Sequence, residues 1–194
     1  HNLRDFIRGQ SGASAAEFAI VVIVFLALIF GTIDFGRLLW EWNQAEAATR
    51  TGARFAVVNT PVADGLAGVG IDGLALGYGN GVQIPPSAIN GGNPIICTSA
   101  SCSAYGPRNA AAFSAILAQV QKHYPAATAA NLVVEYRHVG LGFVGNPYGS
   151  DIVPAVTVRL QGLTFDFIVG GLFGLGSFAM PGFAATLTGE DLAP

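Results

Sequence analysis

One stretch, residues 12–58, changes its hydrophobic pattern partway along. Residues 18–33, FAIVVIVFLALIFGTI, are uncharged and apolar on every side of a helix, the pattern of a buried or membrane-spanning segment. They make roughly 24 Å of helix against a hydrocarbon core of about 30 Å, so a span must also draw on Phe35, Leu38 and Leu39. Asp34 and Arg37, three apart, can pair on the helix surface. Trp40 and Trp42 then fall where an interfacial aromatic belt belongs. From residue 41 the pattern turns amphipathic. Ala45, Ala48, Gly52, Phe55 and Ala56 recur at spacings of three and four, with Glu46, Thr49 and Arg50 off the stripe. Such a stripe normally faces the chain's own core. Pro61 ends the helix, which reaches on the order of 65 Å if unbroken from residue 13 to 57.

The remaining pattern is lighter. Residues 109–124 predict a second helix, with Phe113, Ile116, Leu117, Val120 and Tyr124 at helical spacing and Pro125 closing it. Residues 132–139 alternate as a strand, with Leu132, Val134 and Tyr136 inward. Residues 153–165 do likewise through Val156, Val158 and Leu160, and 183–188 supply a third strand. Residues 59–107 are rich in glycine and yield no regular element. The expected fold is α+β: a long N-terminal helix, a small antiparallel sheet, a second helix and a Gly-rich loop region. The expected organisation is a cytoplasmic leader-like segment (1–12), a transmembrane and stalk helix (13–58), and an exported domain (59–194). Residues 167–178 are apolar and broken by glycines. They read either as a surface for a membrane or partner, or as a loop tucked under the sheet.

Composition narrows the function classes. Only 11% of residues are charged, under half the usual quarter. The net charge is −3 with no basic block, which argues against a nucleic-acid partner. Cys97 and Cys102 form C-x4-C; in an exported domain this spacing suits a small-loop disulfide, the other reading being two free thiols. No metal site is expected, because His1, His123 and His138 are far apart and there is no second cysteine pair. Gly68, Gly70 and Gly73 match G-x-G-x-x-G without the strand and helix that motif needs. Asp151 and Asp166 read as isolated acids at strand ends. Catalytic motifs are missing from the sequence, so the expectation is a non-enzyme without cofactors.

The N-terminal flank holds Arg4 and Arg8 against one acid, Asp5, which places the N-terminus in the cytoplasm and the domain outside. A cleavable secretory signal is the competing reading, but the apolar run continues into a helix instead of a cut site. Glu17, at the start of that run, has a local explanation in a capping box with Ser14. It has a sharper one in Gly12-Ala-Ser-Ala-Ala-Glu17-Phe18. This heptapeptide resembles the G-x4-E-[YF] site of pilins and pseudopilins of Tad (Flp-type) pili. Residues 33–58, with DFGR and GARFAVV, are similar to the helix of the TadE-like family. Residues 154–167 and 183–191 are similar to its strands. The resemblance implies that a prepilin peptidase cuts between Gly12 and Ala13, and that Glu17, beside Phe18, neutralises the freed amine during assembly. It also implies as partners other pilin subunits, the inner-membrane assembly machinery and the bilayer. The implied location is the inner membrane as a single span, N-in and C-out, with passage into an extracellular filament. A permanently anchored, uncut periplasmic binding module is the alternative.

Overall fold

Helix α1 (Gln10–Val57) runs 48 residues without a break. The computed structural model of the chain describes residues 10–67, 71–147, 150–168 and 176–189, so residues 1–9 of the expected leader-like segment (1–12) lie outside the described residues. The end of α1 is chemically marked. Arg54 in the last turn suits the helix dipole, and Asn59 Nδ2 donates to the Phe55 carbonyl at 2.8 Å. The start differs from expectation. Because the helix already runs at Gln10, Ser14 is an interior residue and cannot act as N-cap. Glu17 lies beyond the first turn, where the dipole's hold has faded. The capping box is therefore not formed.

Two compact units are distinguished. The first comprises α1 up to residue 40 together with residues 165–168 and 176–178. Its helix is the one candidate membrane span among the described residues, by length and composition.

The second unit contains residues 41–164 and the chain from residue 179 on. Its sheet is antiparallel, in the order β1 (Ile95–Cys97), β2 (Leu132–His138), β3 (Pro154–Leu160), β6 (Phe183–Thr188). Leu132 pairs with Leu160, and Leu160 with Phe183, so large apolar side chains line up across the strands. Leu132, Val134, Tyr136, Val156, Val158 and Leu160 are all buried, as the alternation requires. Helix α2 (Ala110–Gln121) is capped by Asn109, whose Oδ1 accepts from the Ala112 amide at 3.0 Å. It buries Phe113, Ile116 and Val120.

At Gly52 the distal part of α1 meets both α2 and β3. A Cβ there would stand 2.8 Å from Val120 Cγ2 and 3.1 Å from Val158 Cγ1. Ala45, Ala48, Ala53 and Ala56 are buried on the same side, so the small-residue stripe faces the chain's own core. Thr49 departs from the expected pattern. It is fully buried, and its hydroxyl is satisfied by donating back to the Glu46 carbonyl at 2.8 Å, an arrangement open to Thr on a helix.

Two further differences concern strands. The expected strand 153–165 is two strands, broken at Gly162, whose φ of 67° is left-handed. The second piece, β4 (Thr164–Asp166), pairs with β5 (Ser177–Ala179) in a separate ribbon. The short β1, set in the Gly-rich region, follows no alternation long enough to read.

Candidate functional site

The residues singled out in the sequence fall into three places. The first is the start of α1. Gly12 is exposed, and a Cβ there would meet nothing within 4 Å. Packing therefore does not demand glycine at this position, although glycine inside a helix costs about 1 kcal/mol relative to alanine. Glu17 is exposed on the same helix and Phe18 is 70% exposed. The large apolar side chains that follow, among them Ile20, Val24, Phe25 and Leu28, are also exposed.

The second place is the first unit's contact around Asp34. Its side chain is buried, which would be costly for an unpaired acid. Arg37 donates to Asp34 Oδ1 at 3.2 Å. The Ile168 amide donates to the same oxygen, also at 3.2 Å. The Arg37 guanidinium lies over the Phe165 ring, 5.1 Å from its centroid, within cation–π range. Phe165 in turn meets Phe167 edge-on at 5.2 Å. The helical pair legible in the sequence is thus completed by a backbone amide 134 residues away in the chain, a partner no local pattern announces. Trp40 is exposed. Trp42, in the second unit, packs edge-to-face on Phe183 at 5.1 Å, so its ring serves the chain's own sheet.

The third place is the second unit's loop end. Cys97 and Cys102 are joined by a disulfide that closes a turn, five residues apart. Asp151 is not isolated. It accepts from the amides of Gly73 at 2.8 Å, Gly145 at 2.9 Å and Asn146 at 3.3 Å, and so ties the Gly-rich region to the loop between β2 and β3. Gly73 is needed there, since a Cβ would stand 2.3 Å from Val144 Cγ2. Residues 68–70, the start of the G-x-G-x-x-G string, lie outside the described residues. His138 is buried, its Nε2 2.8 Å from the Ile84 carbonyl. Tyr136 accepts from the Val62 amide at 2.9 Å. Burial pushes its phenol up to about 12, against the smaller lowering effect of that hydrogen bond. Burial also raises Tyr124, helped by the nearby Glu41 carboxylate. Among the described residues, no group of three or more His, Cys, Asp or Glu is placed to hold a metal.

Among the described residues the geometry gives no reacting centre, and the large apolar side chains in the N-terminal half of α1 are uncovered. Residues 12–54 match the family model described as TadE-like protein. The match begins at Gly12 and ends inside the last turns of α1, so it takes in Glu17, Asp34, Arg37 and both tryptophans. This TadE-like segment is similar to a pilus-associated family. Residues 154–167 and 183–191, expected from the sequence to resemble the family's strands, lie outside the matched residues. No curated protein and no solved structure gives a significant match to the chain.

Proposed function

We propose that the chain is a TadE-like pseudopilin or minor pilin, inserted in the inner membrane by the first half of α1 and incorporated into, or priming, a Tad-type pilus. In this reading its N-terminus is cytoplasmic and its sheet lies outside. The observation that carries the reading is the coincidence, in one unbroken helix, of the TadE-like match and an uncovered apolar half. Each large side chain there gains about 1.5–3 kcal/mol on leaving water. Lipid supplies that environment in the membrane, and neighbouring helices supply it in a filament.

The proposal includes cutting between Gly12 and Ala13 by a prepilin peptidase. The new amine on Ala13 is then four residues from Glu17, on the same helix face. A carboxylate in hydrocarbon costs up to about 3 kcal/mol, and a nearby ammonium, from this subunit or its neighbour, offsets the cost. The partners are the peptidase, other pilin subunits, the assembly machinery and the bilayer. The role is structural, with no reaction of its own.

The test compares the intact mass of the chain from cells with and without the peptidase, alongside Gly12→Val. Since nothing lies within 4 Å of a Cβ at this position, the variant keeps its fold. Loss of the leader mass only in the peptidase-positive wild type supports the reading. The full uncut mass in every sample, with the chain held in the inner membrane and missing from sheared filaments, refutes it and favours the anchored binding module.

A further inference from the structure

We propose that the β4–β5 ribbon is a second membrane contact, seated beside α1 at the boundary between acyl chains and headgroups. This rests on α1 spanning the bilayer, and adds to it a lipid-facing surface far from the helix in sequence.

Depth is fixed by the Asp34 contact. A span of about 20 residues beginning at Phe18 ends near Arg37. The Ile168 amide is bonded to Asp34, and the Phe165 ring lies under Arg37. Residues 34–37 rise by only about 4.5 Å along the helix axis, so residues 165–168 are held at the level where the hydrocarbon ends. At that level a buried acid needs partners, and it has the guanidinium and the amide. Without them the charge would favour pulling this turn of helix out toward water.

The same unit leaves apolar side chains uncovered there. Ile168 is 66% exposed and Phe178 43% exposed, while Ile33, Phe35 and Trp40 on the helix are exposed at comparable height. Large apolar and aromatic groups at this depth are what the interface accommodates. Asp166 is also exposed, and a carboxylate there belongs among headgroups, which keeps the ribbon from sinking deeper. Lipid is the occupant because the surface is continuous with the span and ends where the span ends.

The experiment uses the full chain reconstituted in phosphatidylcholine vesicles as two single-tryptophan reporters. One is Trp40→Phe/Trp42→Phe/Ile168→Trp; the other is Trp42→Phe alone, which leaves Trp40. Circular dichroism and an intact disulfide confirm the fold of each. Vesicles carry lipids brominated either near the headgroup end of the chains or at their midpoint. The expected result is blue-shifted emission at position 168, quenched more by the shallow bromines than by the deep ones. Quenching of Trp40 without quenching at 168 overturns the ribbon contact while leaving the anchor intact. Emission at 168 that is blue-shifted but unquenched, and that changes with the protein-to-lipid ratio, assigns the surface to a second copy and overturns it too. Absence of quenching at both positions overturns the anchor along with it.

Discussion

Gly52 offers the sharpest test of how the distal part of α1 is built into the second unit. The site has walls on two sides, Val120 on α2 and Val158 on β3, and both valines are fully buried. Neither can swing aside, since a β-branched side chain has little rotamer freedom. Gly52→Leu brings a gain of about 1 kcal/mol in helix propensity. Against it stands overpacking at roughly 3 kcal/mol, the top of the usual range, because even the first added carbon is too close. The expected net loss is about 2 kcal/mol. Val120→Ala alone should cost roughly 2 kcal/mol through the cavity it leaves. In the double variant the leucine fills that cavity, so the combined loss should fall short of the sum by about 1–2 kcal/mol. The assay is denaturant unfolding of the full chain in non-ionic detergent, followed by Trp fluorescence and far-ultraviolet circular dichroism. If Gly52→Leu is neutral, or the two changes add, then α1 does not pack against α2 and β3 at this point.

Two other outcomes follow from single interactions. The Tyr136 phenol is raised from 10 to about 12 in the folded state, so above about pH 10 the unfolded chain releases a proton that the folded one keeps. Stability is then full below pH 10 and declines as pH rises toward 12, by roughly 3 kcal/mol in total. In Tyr136→Phe that alkaline slope should shrink to the part Tyr124 contributes, while stability at pH 7 drops by about 1–3 kcal/mol because the Val62 amide loses its acceptor. An unchanged slope in a pH series of unfolding midpoints would contradict the assignment. The Cys97–Cys102 bridge closes a loop only five residues apart, so reducing it should cost no more than about 2 kcal/mol. The domain should stay folded after reductant at 25 °C, as a proteolysis time course can show.

What the sequence revealed depended on how locally each feature is encoded. The break between an apolar and an amphipathic half of α1, the spacing in α2 and the alternation in β2 and β3 all arise from residues near one another, and each was legible. Asp34 and Arg37 could be paired on spacing alone, but the Ile168 amide could not, because it arrives from the far end of the chain. Asp151 looked isolated for the same reason: its partners are backbone amides, which leave no trace in side-chain chemistry. Thr49 seemed polar and therefore outward, yet a hydroxyl bonded back to its own helix can be buried at small cost. Gly162 hid the division between β3 and β4, since a glycine within an alternating run marks a break only once its φ is known.

The convergence at Gly52 also sets a timetable for the nascent chain. That face of α1 is made early, but its neighbours Val120 and Val158 come 68 and 106 residues later, and β3 gains its outer partner only when Thr188 has emerged. At synthesis rates of about 5–20 residues per second, the face waits on the order of ten seconds for the elements that cover it. Throughout that interval the first helix to form is the last to be enclosed. The demand for a holding chaperone should therefore be greatest before the final strand arrives.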